Sequence, residues 1–397
     1  MDTEPIFPRF SDAEYARREA VVRRELAAAG LDAVIAVGDA GSRGANQANV
    51  AWLTNWWDPY PAYVVMTPAA APVLLVSNQL YLHTAERAAR PVEMRVQGLA
   101  PGEVLARCLE DLGVARGRIG VAAVRNVGRA SMPSHHFDVL RARLPGAEFV
   151  DATDVFARAR LIKSAEEIAW FERGAALTDL AMEAIEREVR IGMPEFQLSA
   201  ILHQAVLPAG GTLRLQFVGA TPMDDPGLIF PWQYPSQRPL AAGDVLLTEI
   251  SAGWWGCSGQ IQRPYTIGCA PTAEYLRLFE LAFRAYDRIV DVLRPGATDA
   301  DVRAAASFLD DEDCRTFDVL LHGWGLQIED PRVDLPSAVI RRELRPVTFA
   351  EGMLLVVQPH VVSPDGRRAV QAGNLVVVEA GGARPLQKHP MGFNTLC

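Results

Sequence analysis

Four short apolar runs, DAVIAVG (32–38), AYVVM (62–66), APVLLVS (71–77) and RIGVAAV (118–124), alternate with longer amphipathic stretches. Each is of strand length and is bounded by turn-forming residues. Between them lie helical patterns such as GEVLARCLEDLG (102–113). The stretch SDAEYARREAVVRRELAAAG (11–30) reads as a helix capped by Ser11 and stopped by Gly30. A chain that alternates strands and helices in this way has one economical solution, helices packed on a sheet. The pattern therefore predicts an α/β domain closing near AEFVDATDVFARAR (147–160).

The periodicity then changes. LIKSAEEIAWFERGAALTDLAMEAIEREV (161–189) is one long helical pattern, with Ser164 as N-cap and Glu167 three residues on, a capping box. The strands that follow are longer: DVLLTEISAGWW (244–255), QIQRPYTIG (260–268), GMLLVVQPHVV (352–362) and NLVVVEAGG (374–382). This half reads as α+β with a curved antiparallel sheet. The boundary falls within 155–163, giving domains 1–160 and 161–397, and 397 residues suffice for two cores.

Composition narrows the function classes. A net charge of −9 argues against nucleic acid and anionic membrane as partners. No apolar run approaches the ~18 residues that span a bilayer, and the N-terminal stretch has no secretory h-region. Cys108, Cys257, Cys269, Cys314 and Cys397 are odd in number and scattered, as expected of reduced thiols in a cytoplasmic protein.

The segment HGWGLQIEDP (322–331) reads as part of a metal site, with a His, two glycines that let backbone crowd close, and acids. It does not stand alone. NVAWLTNW (49–56), RLIKSAEEIAWFERGAALTD (160–179), LAAGDVLLTEISAGWWGCSGQIQRPYTIG (240–268) and GMLLVVQP (352–359) accompany it in order along nearly the whole chain. Together they resemble the creatinase/prolidase/aminopeptidase P superfamily (M24). The resemblance implies an α/β N-terminal domain, a C-terminal pita-bread α+β domain and a homodimer. Metal-dependent members hold two divalent ions with Asp, Asp, His, Glu and Glu. Those positions fall here on Glu249, Gln260 eleven residues on, His322, Gln358 before Pro359, and Gln371. Ile261 and Arg263 match the residues that follow the second Asp.

Three of the four carboxylates are thus amides. Hard dications depend on anionic oxygens, and the NH₂ end of an amide repels a cation. The expectation is a site with no metal and no cofactor. What remains is a polar pocket of Glu249, Gln260, Gln262, His322, Gln358 and Gln371, either a self-satisfied hydrogen-bond network or a rebuilt site for a small-molecule substrate. Creatinase offers a metal-free precedent, but its general acid/base His is missing here; Pro231 or Trp232 occupies the place. Its guanidinium-binding glutamates fall on Gln262 and Gln371, which disfavours a strongly cationic guanidine. His322 and Glu249 are the candidate catalytic groups, Glu249 as a base whose pKa is raised by burial. His360, Glu329 and Asp330 lie close enough in sequence to contribute. Cys257 reads as an inert thiol, and His203 and His389 as structural. Trp232, Trp254 and Trp255 are expected to wall the pocket, and Trp56, Trp57 and Tyr60 to reach a partner subunit's site. Asp224 and Asp225 lie in a short insertion that reads as a lid or a solvated turn. The function expected is metal-independent hydrolysis of a C–N bond in a small amino-acid-derived or aromatic polar metabolite. The alternatives are a lyase on the same fold, or a non-catalytic pseudo-peptidase binding module.

Overall fold

The computed structural model describes residues 6–39, 46–123, 131–340 and 345–397. The chain divides into two compact units, Met1–Leu161 and Ile162–Cys397.

In the first unit, strands β1 (Ala33–Gly38), β2 (Ala62–Met66), β3 (Val73–Val76), β4 (Glu93–Val96), β5 (Arg118–Ala122) and β6 (Glu148–Asp151) form a sheet in the order β4-β3-β2-β1-β5-β6. Helices α1 (Asp12–Ala29), α2 (Ala48–Thr54), α3 (Gln79–Ala88), α4 (Pro101–Asp111), α5 (Ser134–Arg143) and α6 (Thr153–Ala159) connect or flank the strands. Ser11 caps α1 by accepting from the Glu14 amide, and Gly30 ends it in the left-handed region at φ 61°. Ile35, Tyr63, Leu75, Leu105 and Ile119 anchor the core. The NVAWLTNW segment is structural here. Asn49 donates to the carbonyls of Ala122 and Ala123, and Asn55 to those of Pro8 and Ala88.

The second unit opens with α7 (Ala165–Glu188), whose capping box of Ser164 and Glu167 is formed reciprocally. Then come α8 (Phe196–Val206), β7 (Thr212–Pro222), β8 (Asp244–Trp254), β9 (Cys257–Ser258), β10 (Ile261–Ile267), α9 (Ala273–Val292) and α10 (Asp299–Ala306). The remaining strands are β11 (Arg315–Thr316), β12 (Leu321–Trp324), β13 (Ile328–Val333), β14 (Leu354–Val357), β15 (His360–Val362), β16 (Ala369–Gln371), β17 (Gly373–Glu379), β18 (Gly382–Pro385) and β19 (Asn394–Leu396). The main sheet runs β13-β12-β14-β17-β10-β8-β7, and β11-β15-β16 form a small second sheet.

Side-chain alternation sorts the two faces of the main sheet. Leu246, Ile250 and Ala252 of β8, with Ile261, Tyr265 and Ile267 of β10, pack under α7 and α8 residues Leu177, Met182, Ile185 and Leu202. The intervening residues must point the other way. Register then fixes a row across that open face: Phe217 opposite Glu249, Glu249 opposite Gln262, Gln262 opposite Gly373, and His322 opposite Val356.

The sheet is narrowest at one seam. β10 and β17 share only two residue pairs, Ile261–Asn374 and Gln262–Gly373. Arg263, fully buried, bridges the seam. Its guanidinium donates to the carbonyls of Gln262, Gly373, His389 and Pro390 and to Oδ1 of Asn374, at 2.8–2.9 Å. Burial pushes its pKa down to about 10. Replacement of Arg263 by Met removes five hydrogen bonds in and beside the seam, and should destabilise the protein by at least about 3 kcal/mol in urea unfolding. Arg263→Lys should recover little, since an ammonium cannot span the fork. An Arg263→Met midpoint equal to that of the parent would contradict this account of the seam.

Candidate functional site

On the open face the backbone geometry of the sheet gathers the candidate polar residues. Glu249 comes from β8, Gln260 from the turn before β10 and Gln262 from β10; His322 from β12; Gln358 follows β14, and Gln371 ends β16. All six are buried. They form two connected groups. Gln260 Nε2 donates to Glu249 Oε1 at 2.5 Å, and Gln371 also hydrogen-bonds the Glu249 carboxyl. Gln262 Nε2 donates to Gln358 Oε1 at 2.9 Å, and Gln358 in turn hydrogen-bonds His322. Gly373 makes room for this arrangement: a Cβ there would stand 2.5 Å from Gln262 Oε1.

The glycines of HGWGLQIEDP act by close approach. A Cβ on Gly323 would strike the Asp330 carbonyl, and one on Gly325 the Glu329 carboxylate. That carboxylate is held 2.9 Å from Lys163 Nζ in a buried ion pair, so Glu329 is a structural counter-ion and not the proton-moving group expected from its position.

Burial drives the two candidate catalytic groups in opposite directions. Desolvation, reinforced by the Asp318 charge, raises Glu249 to about 8. Desolvation lowers His322 to about 4. The Gly323 carbonyl, 3.0 Å from Nδ1, can only accept, so Nδ1 carries the proton and Nε2 is the basic nitrogen. At neutral pH Glu249 is therefore mostly a protonated acid and His322 a neutral base. This reverses the role expected for Glu249, because an ionised carboxylate has no cation here to offset its desolvation.

His360 donates from Nε2 to the Ile229 carbonyl at 2.7 Å, while its buried Nδ1 has no partner. Its ring lies near Phe317 and Phe230, with centroids at 5.1 and 5.9 Å, and Phe230 meets Phe217 at 5.4 Å. The loop carrying Phe230 and Trp232 is pinned again by the buried carboxylate of Glu195, which accepts from Ser236 and from the Ala220 amide. Trp232, 45% exposed, lies against Gly219, which shares a face with Phe217. Trp254 does not wall this pocket. It packs on the opposite face against Trp170 (4.6 Å) and under the Arg173 guanidinium (3.8 Å). Trp255, at φ 48°, belongs to the turn between β8 and β9, and Cys257 is buried. Asp225 is exposed and pairs with Arg367. His389 is held by backbone contacts near Arg263. Trp57 and Tyr60 belong to the first unit, where Tyr60 is exposed and tilts on Tyr81, and Trp56 donates to Asp58.

Sequence reasoning passed over Asp318, Arg332, Phe217, Phe230 and Phe317. Asp318 stands on a short link whose neighbours are tied to the site: the Phe317 amide donates to the His360 carbonyl, and the Leu320 carbonyl accepts from the Gln358 amide. Its charge acts on Glu249, His322 and His360.

The chain belongs to metallopeptidase family M24, which it matches over residues 169–380; residues 18–162 match the creatinase/prolidase N-terminal domain. The architecture is accordingly the two-domain, pita-bread one. The chain is 22% identical over 276 residues to an Xaa-Pro dipeptidase of Pyrococcus horikoshii, covering 67% of this chain and 74% of that one. It is 22% identical over 319 residues to the ectoine hydrolase of Halomonas elongata, covering 75% and 76%. The crystal structure of dipeptidase PepE from Mycobacterium ulcerans superposes with a TM-score of 0.75 at 24% identity, covering 98% of this chain and all of that one. These relatives are hydrolases or peptidases. Among the described residues, no helix is long and apolar enough to cross a membrane.

The family name implies a metal, and the donor set here does not fit one. Its one carboxylate at the matching positions, Glu249, favours the protonated form and is faced by the Gln260 amide. The oxygen of Gln358 already accepts from Gln262. Among the described residues no group of three or more His, Cys, Asp or Glu side chains could hold a metal ion.

The raised Glu249 has a direct consequence for stability. Its folded pKa near 8 lies above the ordinary 4.5, so the folded state retains a proton that the unfolded chain releases. The stability contribution is complete below pH 4.5 and is lost as pH rises through 8, at most about 5 kcal/mol. Urea midpoints measured from pH 5 to 9 should therefore fall more steeply for the parent than for Glu249→Gln, which lacks the titration. Parallel curves would show that Glu249 is not held protonated.

Proposed function

We propose that this protein is a metal-independent hydrolase acting on a C–N bond of a small amino-acid-derived or aromatic polar metabolite. The observation that carries the reading is the pair of opposed protonation states in one buried polar site, Glu249 driven up and His322 driven down. Two titratable groups pushed apart in this way supply an acid and a base at the same pH. Their relatives supply the reaction class: one cleaves Xaa-Pro dipeptides by name, the other is an ectoine hydrolase.

In the proposed step, His322 Nε2 exchanges its contact with Gln358 for a water and removes a proton from it as the water oxygen bonds to the electrophilic carbon. The C–N bond then breaks as the Glu249 carboxyl gives its proton to the departing nitrogen. The imidazolium proton returns through solvent to the Glu249 carboxylate, which resets both groups. Asp318 lies close enough electrostatically to favour the imidazolium. Gln260, Gln262, Gln358 and Gln371 hold the polar part of the substrate, and Trp232 and His360 its flat or apolar part. Trp57 and Tyr60 close the site of a partner subunit in a homodimer, in the cytoplasm.

A purely self-satisfied amide network is disfavoured by its loose ends. Gln260, Gln262 and Gln371 each keep a buried side-chain oxygen without a donor. Each such group costs about 1–3 kcal/mol if left unmet, so the arrangement suits a ligand that donates to it.

His322→Ala should abolish turnover while the protein remains folded, and Glu249→Gln should lower kcat by about 10²-fold or more, the scale of a lost acid. Turnover of the parent should fall on both sides of neutrality, with limbs near 4 and 8 set by His322 and Glu249. Full activity in both variants would remove this chemistry. Xaa-Pro dipeptides should not be cleaved, because the metal-activated hydroxide that such cleavage uses in this family has no ligand set here; prolidase turnover by metal-free protein would overturn that.

A further inference from the structure

We propose that His360 and Gln371 form a two-point acceptor for the NH₂ group of an uncharged carbamoyl substrate, a primary amide or a urea. The proposal rests on the reading of the open face as a hydrolytic site, and it adds the functional group bound and the bond cleaved.

His360 on β15 pairs with Gln371 on β16, so the two side chains project from the same side of the small sheet. Both are buried, at 1% and 6% exposure. The His360 ring has a fixed polarity. Its Nε2 lies 2.7 Å from the Ile229 carbonyl, which can only accept, so Nε2 carries the proton. Nδ1 is then a bare lone pair, buried without a partner. Burial pushes the ring down to about 4, so near neutrality no second proton occupies Nδ1. Gln371 is fixed likewise. Its amide hydrogen-bonds the Glu249 carboxyl, and its Oε1 is buried with no donor. Two idle acceptors thus stand on paired positions, whose Cβ atoms are about 5 Å apart in such a ladder. One planar NH₂ group matches that spacing, because two N–H bonds diverging at about 120° reach acceptors that stand about 5 Å apart.

Charge selects the kind of NH₂ group. Both acceptors are neutral, and Gln260 and Gln262 add two more idle amide oxygens. Glu249 is mostly protonated near neutrality. Asp318 and Arg332 act on His322 with opposite signs. A carbamoyl group satisfies such acceptors without the desolvation cost that a guanidinium or an ammonium brings. The rings of Phe317 and Phe230, with centroids 5.1 and 5.9 Å from that of His360, border the slot and suit a flat group. Position then names the bond. Gln371 contacts Glu249, so a nitrogen held by Gln371 lies beside the acid. Water, giving its proton to His322 Nε2, adds to the carbamoyl carbon and frees the nitrogen lone pair from the carbonyl. The C–N bond breaks as that nitrogen takes the Glu249 proton. The products are ammonia and a carboxylic acid, or ammonia and a carbamic acid from a urea.

The test uses the full purified chain with phenylacetamide, phenylurea and N-acetylglycinamide, each beside its N,N-dimethyl derivative, and with phenylacetamidine and phenylguanidine as cationic counterparts. Binding is measured by ligand-observed NMR and calorimetry, so no reaction is required. The NH₂ forms should bind at least about tenfold more tightly than the dimethyl and the cationic forms. His360→Phe keeps a flat ring and removes the acceptor, and should bring the ratio of NH₂ to dimethyl binding close to one. Gln371→Met removes the second acceptor and should do the same, which serves if the Phe variant fails to fold. His322→Ala should lose turnover yet keep the preference, which separates this proposal from the catalytic one. Any probe that is hydrolysed should release ammonia. Equal binding of NH₂ and dimethyl forms overturns the assignment. So does a preference that survives both acceptor variants, tighter binding of the cations, or the absence of binding across the set.

Discussion

The site depends on a seam. Two halves of the main sheet, β13-β12-β14-β17 and β10-β8-β7, meet through only two residue pairs, and the guanidinium of Arg263 on β10 ties them with two hydrogen bonds to β17, at Gly373 and Asn374. His322 and Gln358 belong to one half, Glu249, Gln260 and Gln262 to the other. On the open face the Gln262–Gln358 hydrogen bond crosses the same seam, with Gly373 beneath it supplying the space. Arg263 is thus the structural support behind the reactive face. It is one residue from Gln262 and points away from it, as strand alternation requires.

Electrostatics follow from what stands at the seam. Four carboxylates would demand cations. One carboxylate among amides has none to demand, and desolvation then favours its protonated form. The same burial raises Glu249 and lowers His322, so one physical cause sets both halves of the proposed proton-transfer pair. The amides retain the length of Glu while offering a donor and an acceptor. The NH₂ ends of Gln260 and Gln371 face Glu249 and that of Gln262 faces Gln358, which leaves three buried oxygens without a protein donor. Loss of metal donors and gain of a neutral, acceptor-lined surface are two descriptions of the same substitutions.

Much of this could be read from the chain. Strand and helix periodicity gave the two units, and Ser11, Gly30, Ser164 and Glu167 act at the helix ends as their residue types require. The six polar positions were legible because an eleven-residue spacing and fixed neighbours, Arg263 and Pro359, hold the register. Trp254 was misjudged, although it stands five residues from Glu249 on one strand, an odd separation that sends it to the helix face. Arg332 was hidden by a hairpin whose register shifts at His322/Gly323, so counting along the sequence does not reveal what faces the His. Asp318 lies between strands, where no periodicity applies. A raised pKa for Glu249 was legible, but a rise to about 8 was not, since it depends on how completely the carboxyl is desolvated.

The central claim is that this M24 chain has exchanged a divalent-metal centre for a neutral acid–base site. Calorimetric titration of chelator-treated protein with Mn²⁺, Co²⁺ and Zn²⁺, alongside elemental analysis of untreated protein, tests it most directly. The account predicts substoichiometric metal as purified, no saturable binding at the face that carries Glu249 and His322, and a melting temperature unchanged by EDTA. One or two tightly bound metals per chain, lost together with stability on chelation and abolished by His322→Ala, would contradict it.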